Sequence, residues 1–275
     1  MANLITRSLT GIIFVVVILG SVIAGTWVFA LLFLFISIHA QLEFYHLLNK
    51  GSYKPQTYFG LGAGIFLYGT IAAEALGIGG ITGINILMLN FIPLVMIFIL
   101  ALYSKSANPF SDIGLTLTGI LYIVLPLGLL NYFYLPSLLP NGESYGVLLG
   151  FFLILWLNDT AAYLIGSALG KHRLFERISP KKSWEGSIGG TLFALFAAWL
   201  LSNYFTDILL WQWLVIAIII VVFGTLGDLV ESMLKRSLGI KDSGNILPGH
   251  GGILDRFDAV LLSAPVVYIF ITVFI

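Results

Sequence analysis

Long apolar runs separated by short polar segments cover almost the whole chain. A helix that crosses a bilayer needs about 20 mostly apolar residues, and nine runs come close to that length. Their residues are 8–25, 26–48, 57–76, 85–103, 113–134, 145–169, 187–205, 211–234 and 252–275. Because helices satisfy their own backbone hydrogen bonds inside lipid, these runs predict an all-α, polytopic membrane protein.

The balance of residue types excludes several other classes of protein. Hydrophobic residues make up 59% of the chain and charged residues 9%, whereas soluble domains average about 45–50% and about 25%. The formal net charge is zero, so the chain has no general attraction to nucleic acid. Cysteine is absent, which excludes disulfides and thiolate metal sites. Any metal must therefore bind oxygen or imidazole ligands.

The Lys and Arg residues lie on alternate connections between the runs. With nine spans, all 13 of them fall on the same side of the membrane. Since cytoplasmic connections carry the excess of basic residues, we expect the N-terminus in the cytoplasm and the C-terminus on the opposite side. The most highly charged connections lie in the C-terminal half. We therefore predict one transmembrane domain, residues 1–275, in which 1–144 form a scaffold and 145–275 carry the chemistry.

Carboxylates lie within or at the ends of the C-terminal apolar runs. A charged side chain costs roughly 2.5–3.5 kcal/mol at the centre of a membrane helix, so Asp159, Asp228 and Asp255 need a divalent metal, basic partners or a water-filled cavity. Mg²⁺ suits such a site, because it binds one or two carboxylates and keeps water and substrate phosphates as its other ligands. Three acidic residues near span ends are instead interpreted as structural anchors between helices: Glu43, Glu74 and Asp112.

Two polar segments supply groups suited to anionic substrates. The first connects the sixth and seventh runs, where we expect Pro180 to fix a turn and the next helix to offer free N–H groups to an anion. Its candidate substrate-binding residues are Ser179, Lys181, Lys182 and Ser183. The second is the glycine-rich stretch 232–258, where His250 can contact phosphate or transfer a proton near neutral pH. Its candidates for catalysis are Lys235, Arg236, Lys241, His250 and Arg256, and those for substrate binding are Ser232, Gly251 and Gly252.

Three strings in the C-terminal half carry a resemblance to a known family. They are N-D-T-x-A-Y-x-x-G from residue 158, S-P-K-K-S-x-E-G from 179, and S-x-x-K-R-x4-K-D-x-G-x2-L-P-G-H-G-G-x2-D-R-x-D from 232. The third string is long and mixes rare residue types. It resembles the signature of the phosphatidate cytidylyltransferases, also called CDP-diacylglycerol synthases. The N-terminal half is similar only in being apolar with several spans.

The resemblance implies a reaction in which CTP and phosphatidate give CDP-diacylglycerol and pyrophosphate, with Mg²⁺ and room for a second cation. The residues themselves suit that chemistry, and we expect Asp228 and Asp255 to hold the metal, with Asp159 near the second cation. The expected partners are CTP, phosphatidate and the lipid bilayer, and the N-terminal spans offer a face for a homodimer. The resemblance also implies phospholipid biosynthesis in a bacterial-type inner membrane, with the active site facing the cytoplasm.

Two other functions fit the same residues. A CTP-dependent polyprenol or lipid kinase would transfer the γ-phosphate and release CDP rather than pyrophosphate. An ion-coupled transporter would use the three aspartates as a cation or proton pathway, but it has little need of the glycine-rich stretch or of the basic connections. Product analysis identifies the kinase, and flux in liposomes without CTP turnover identifies the transporter.

Overall fold

Helices dominate the computed structural model of the protein, which describes residues 2–51, 53–78, 86–134, 145–240, 243–244 and 251–275. About 82% of it is helical, which confirms the all-α prediction and is the architecture of a helical membrane protein. Within these residues, six helical segments are long and apolar enough to cross a membrane. They are Thr26–Lys50, Pro109–Tyr134, Gly146–Leu169, Trp184–Tyr204, Leu210–Ser237 and Leu254–Phe274. The apolar segments Thr10–Ala24 and Ile86–Leu102 are shorter.

The N-terminal part of the chain begins with a series of helices. They are α1 (Ala2–Ala24), α2 (Thr26–Lys50), α3 (Thr57–Ala75) and α4 (Phe91–Leu102), the last preceded by a 3₁₀ turn over Ile86–Asn90. One residue, Gly25, separates α1 from α2 and has a φ of 111°. Glycine adopts this conformation without the steric cost that a Cβ would bring, so the chain turns there within a single residue.

The next helical segment changes its winding part of the way along. It consists of α5 (Pro109–Thr118), a π-helical turn (Gly119–Val124), α6 (Leu125–Leu129) and a 3₁₀ turn (Leu130–Tyr134). The Tyr45 ring from α2 packs where a Cβ at Gly119 would lie. The Tyr45 hydroxyl donates a hydrogen bond to the Thr116 carbonyl at 2.7 Å. A side chain that enters the hydrogen-bond ladder is a recognised cause of such a departure from α-helical geometry.

The C-terminal part adds four long helices and one short hairpin. The elements are α7 (Gly146–Leu169), β1 (Arg173–Phe175), β2 (Ser179–Ser183), α8 (Trp184–Tyr204), α9 (Leu210–Ser237) and α10 (Leu254–Phe274). The two strands pair antiparallel, with Arg173 opposite Ser183 and Phe175 opposite Ser179. The hairpin was not predicted, and the expected turn at Pro180 is wrong because Pro180 lies within β2. Both strands of a two-stranded sheet are edge strands, where proline is tolerated.

The chain packs into two units. The first comprises Met1–Tyr132 and Leu238–Phe257, and the second comprises Phe133–Ser237 and Asp258–Ile275. The boundary therefore falls within α10, whose first residues belong to the first unit. The division of labour between residues 1–144 and 145–275 stays a prediction.

Helix α2 is central to the packing of the first unit. Phe29 stacks on Phe33 with ring centroids 4.1 Å apart, and Phe33 meets Phe257 of α10 edge-on at 5.7 Å. The hydroxyl of Tyr68 on α3 donates a hydrogen bond to the Ala30 carbonyl at 2.9 Å. One helix thus contacts both α3 and the start of α10, which brings N-terminal residues against the end of the glycine-rich stretch.

Candidate active site

Small residues bring α7 and α8 of the second unit into close contact. A Cβ at Gly186 would collide with the carbonyl of Ala162, and a Cβ at Gly190 would collide with Asn158. Small residues at a helix interface let backbones approach closely inside a membrane. Asp159 follows Asn158, whose amide donates a hydrogen bond to Asp159 Oδ1 at 3.2 Å. The packing of the two helices therefore fixes the backbone that carries Asp159.

The β1–β2 hairpin is tied to the start of α8. Trp184 donates its backbone N–H to the carbonyl of His172 at 2.9 Å. The imidazole of His172 lies 2.6 Å, Nδ1 to Oε1, from the carboxylate of Glu185. His172 was not singled out from the sequence, and Glu185 belongs to the string that starts at residue 179 but was given no role. Because Lys181 and Lys182 lie in β2 directly before α8, these contacts fix the point from which both side chains extend.

Ser183 is buried and forms the N-cap of α8. Its hydroxyl accepts a hydrogen bond from the backbone N–H of Gly186 at 3.2 Å. This bond satisfies one of the donors that a helix leaves free at its N-terminus. The N–H groups predicted to bind an anion are therefore partly committed to the cap. Ser179 begins β2 and is partly exposed, Lys181 is exposed, and the substrate-binding role of all three residues stays a prediction.

An ion pair joins β2 to α9. Lys182 Nζ lies 2.7 Å from Asp228 Oδ2 and 3.5 Å from the carbonyl of Thr225. The other oxygen of Asp228 accepts a hydrogen bond from Ser232 at 3.2 Å, which confirms that these two residues share a helix face. The side chains of Lys182 and Asp228 are 25% and 38% exposed, so charged ligands have access to both.

Asp258 on α10 joins this group of charges. A Cβ at Gly227 would collide with the carbonyl of Asp258, so α9 and α10 touch through their backbones at this level. The charges of Asp228, Asp159 and Lys182 all act on Asp258. Asp258 was absent from the predicted metal ligands, although it lies three residues after Asp255 and ends the signature string. That spacing places both aspartates on similar faces of a helix and was the available signal.

We call Asp159, Lys182, Asp228 and Asp258 the acidic cluster. All four residues belong to the second unit, and the charges of Lys182 and Asp228 also act on Asp159. None of the three aspartates is buried. Three carboxylates around one lysine leave two formal negative charges in excess. The structure thus brings together two of the three predicted metal ligands and adds Asp258.

The third predicted metal ligand, Asp255, belongs to the first unit. Its Oδ2 accepts hydrogen bonds from the backbone N–H groups of Ser243 at 3.1 Å and Gly252 at 2.9 Å. Gly251 has a φ of 85°, and a Cβ there would meet the same oxygen. The glycines of the stretch therefore let its backbone wrap around the Asp255 carboxylate.

The predicted cationic residues have different surroundings. Lys235 pairs with Glu231 at 2.6 Å, Nζ to Oε2, and the Glu231 side chain is 1% exposed. Arg236 and Arg256 are exposed. Lys241 and His250 lie outside the described residues. Their catalytic roles stay predictions.

The acidic cluster has the donor chemistry of a magnesium site. Among the described residues, no group of three or more His, Asp or Glu side chains is arranged to hold a metal ion. Mg²⁺ needs fewer protein ligands than that, since one or two carboxylates suffice when waters and substrate phosphates complete its shell. The excess of two formal negative charges in the cluster matches the charge of one divalent cation. The residues therefore fit Mg²⁺.

Comparison with known proteins decides the family. A model of the cytidylyltransferase family matches residues 5–274. The chain belongs to the cytidylyltransferase family. It is 38% identical over 268 residues to the phosphatidate cytidylyltransferase of Staphylococcus saprophyticus, covering 96% of this chain and 97% of that protein. Proteins of the same name from Staphylococcus haemolyticus and Staphylococcus epidermidis are 37% and 36% identical over the same shares. The predicted family and enzyme class are confirmed: this cytidylyltransferase is a nucleotidyltransferase.

Proposed function

We propose that this cytidylyltransferase transfers the cytidylyl group of CTP to phosphatidate, giving CDP-diacylglycerol and pyrophosphate for phospholipid synthesis. The names of its relatives support the substrates. The observation that carries the proposal in the structure is the meeting of Asp159, Asp228 and Asp258 around Lys182. Asp159, Lys182 and Asp258 each come from a different one of the three strings that carry the family resemblance, and Asp228 lies four residues before the third string.

The proposed reaction places few chemical demands on the protein. A phosphate oxygen of phosphatidate attacks the α-phosphorus of CTP, the bond from that phosphorus to the β-phosphate bridging oxygen breaks, and pyrophosphate leaves. The attacking oxygen is already anionic, so no strong general base is required. Transfer at phosphorus depends mainly on positioning and on neutralising charge. The chain must therefore supply fixed cations and a fixed place for both substrates.

The charged residues of the site would bind the metal or neutralise charge on the substrates. One or two of the carboxylates of Asp159, Asp228 and Asp258 would hold Mg²⁺, and a second cation remains part of the proposal. The metal-ligand role of Asp255, in the first unit, stays a separate prediction. Bound Mg²⁺ would supply positive charge to the triphosphate and the leaving pyrophosphate. Lys182 keeps Asp228 oriented through their ion pair and offers its ammonium group to substrate phosphate. Other cations proposed to neutralise substrate charge are Lys181, Lys235, Arg236, Lys241 and Arg256. A role of His250 in phosphate contact or proton transfer is also part of the proposal.

The membrane arrangement belongs to the same proposal. Six helical segments among the described residues are long and apolar enough to cross a membrane, and α1, α3 and the segment Ile86–Leu102 would supply the other three proposed spans. With nine spans, the basic connections face the cytoplasm, where CTP is found. Phosphatidate would enter sideways between helices from the cytoplasmic leaflet of a bacterial inner membrane. A homodimer through the N-terminal helices stays a prediction.

Pyrophosphate release by the purified protein in detergent tests the reaction. We expect release that requires phosphatidate, CTP and Mg²⁺ together, and its loss in Asp255→Asn while the protein stays folded. Appearance of CDP in place of pyrophosphate would replace the proposal with a lipid kinase. A folded protein that forms neither product, but moves ions across liposomes, would replace it with a transporter. Release that survives in Asp255→Asn would remove Asp255 from the metal site.

A further inference from the structure

Glu43 on α2 contacts the end of the glycine-rich stretch in the first unit. Its side chain is buried, with 7% relative exposure. Its Oε2 accepts a hydrogen bond at 2.8 Å from the backbone N–H of Leu254, the first residue of α10. A carboxylate at the start of a helix satisfies a free donor and interacts favourably with the helix dipole. Glu43 thus acts as an N-cap supplied by a distant helix.

Two glycines of the stretch lie directly against this carboxylate. A Cβ at Gly244 would collide with Glu43 Oε1. A Cβ at Gly252 would collide with both Glu43 oxygens and with the hydroxyl of Ser243. A larger residue at either position would displace the Glu43 carboxylate or the backbone that faces it. We call Glu43, Ser243, Gly244, Gly252 and Leu254 the loop seat.

The loop seat also carries Asp255. The backbone N–H groups of Ser243 and Gly252 both donate to Asp255 Oδ2, and the charge of Asp255 acts on Glu43. Both carboxylates therefore contact the same two stretches of backbone. Glu43 packs against Gly244 and Gly252, and Asp255 accepts hydrogen bonds from Ser243 and Gly252. A shift of the loop away from Glu43 would move the N–H groups that orient Asp255.

We propose that Glu43 is a positioning residue for catalysis: it fixes the loop seat and thereby the orientation of Asp255. This inference rests on the proposed role of Asp255 in the reaction. The sequence predicted that Glu43 anchors one helix to another. The structure makes this specific, because Glu43 binds the backbone of Leu254 in the glycine-rich stretch. In this proposal Glu43 does not contact the substrate and affects the reaction only by orienting Asp255.

Asp112 is a matched control for Glu43. It is buried to a similar degree, with 6% relative exposure, and belongs to the same unit. It also accepts a hydrogen bond from the backbone of another segment, Lys54 N–H at 2.9 Å. That segment lies outside the signature stretch. Asp112→Asn and Glu43→Gln therefore make the same chemical change at a buried carboxylate that accepts from the backbone, with the difference that Asp112 also accepts a hydrogen bond from the Ser106 hydroxyl.

The test compares wild type, Glu43→Gln and Asp112→Asn in detergent. It measures thermal unfolding, kcat, and KM for CTP and for phosphatidate. Loss of a residue that orients a functional group costs about 10- to 100-fold, so we expect kcat of Glu43→Gln to fall by that factor with each KM within about threefold. Asp112→Asn should keep its kcat within about twofold at a similar loss of thermal stability. Equal kcat losses in both variants, or a Glu43→Gln kcat within twofold of wild type, would overturn the inference. An inactive wild type would instead overturn the proposed reaction.

A second measurement keeps the inference testable if Glu43→Gln does not fold. Gly244→Ala places a methyl group against Glu43, so we expect a lower kcat, whereas Gly114→Ala adds one in open space and should have no effect. Glu43→Asp shortens the side chain and leaves space for the methyl group of Gly244→Ala. The double variant should therefore have a higher kcat than the product of the two single-variant effects predicts. Coupling of this kind marks residues in contact. Purely multiplicative effects would contradict the contact and the inference with it.

Discussion

Asp228 in the second unit of this cytidylyltransferase has different hydrogen-bond partners from the two carboxylates at the loop seat of the first unit. In the acidic cluster of the second unit, Asp228 faces the ammonium group of Lys182 and the hydroxyl of Ser232. In the loop seat of the first unit, Glu43 and Asp255 accept hydrogen bonds from backbone N–H groups. A carboxylate that faces mobile side chains can change partners when a charged substrate arrives. An oxygen that accepts from the backbone, such as Asp255 Oδ2 or Glu43 Oε2, is committed to holding the chain, so the same residue type suits two different tasks.

The largest expected effect tests the acidic cluster at Asp258. Asp258→Asn removes one of the three negative charges, and loss of a group that stabilises charge in a transition state costs about 10²–10³-fold in rate. We expect CDP-diacylglycerol formation to fall by that factor in a variant that remains folded, as measured by product formation from radiolabelled CTP. Asp207→Asn is the control, since Asp207 lies in the same unit before α9 and outside the cluster. A loss below tenfold in Asp258→Asn would remove Asp258 from the site.

The next effect tests the packing that supports the cluster. Gly190→Ala inserts a methyl group against Asn158 and Ala162, and overpacking of this kind costs about 1–3 kcal/mol. We expect lower thermal stability in detergent, and lower activity because the backbone carrying Asp159 moves. Gly62→Ala on α3 adds the same methyl group where no atom lies within 4 Å and should leave both unchanged. Equal stabilities for the two variants would show that the close approach of α7 and α8 is not required.

A smaller effect is expected for the lysine of the cluster. Lys182→Gln removes a cation but keeps much of the side-chain length, so kcat/KM for CTP should fall about tenfold, equivalent to about 1.4 kcal/mol of transition-state stabilisation. The cluster also becomes more negative, so the Mg²⁺ concentration for half-maximal rate should fall. Lys105→Gln, an exposed residue on another connection, is the control and should change neither value. A higher Mg²⁺ requirement in Lys182→Gln would contradict the balance of charges assigned to the cluster.

The difference between the two units also explains what could be predicted from the sequence. Asp159 and Asp228 were predicted because a carboxylate inside an apolar run is costly and needs a reason. Asp258 carries the same signal, but the metal ligands predicted from the sequence did not include it. The sequence predicts the position of each carboxylate along a helix. Its hydrogen-bond and ion-pair partners depend on how the helices pack, which the sequence alone does not predict.

The role of Glu43 could not be read from local sequence. Its hydrogen-bond partner, Leu254, lies 211 residues away in the chain, and one acidic residue near a span end looks like any other. The β1–β2 hairpin was not predicted from the sequence for a different reason. Its strands have three and five residues and lie in a polar, basic connection. Such strands lack the alternation of apolar residues that predicts a sheet.

The smallest expected effect separates the support of the cluster from its chemistry. Ser183→Ala removes the N-cap of α8, and loss of such a cap costs about 1 kcal/mol. We expect a lower unfolding temperature in detergent with kcat within about twofold of wild type, because the ion pair of Lys182 with Asp228 does not involve the Ser183 hydroxyl. Ser187→Ala is the control, since its hydroxyl donates to the Ser183 carbonyl within the helix at 3.2 Å and caps nothing. If Ser183→Ala instead raised KM for CTP several-fold at unchanged stability, Ser183 would belong to the substrate site and the cap would be incidental.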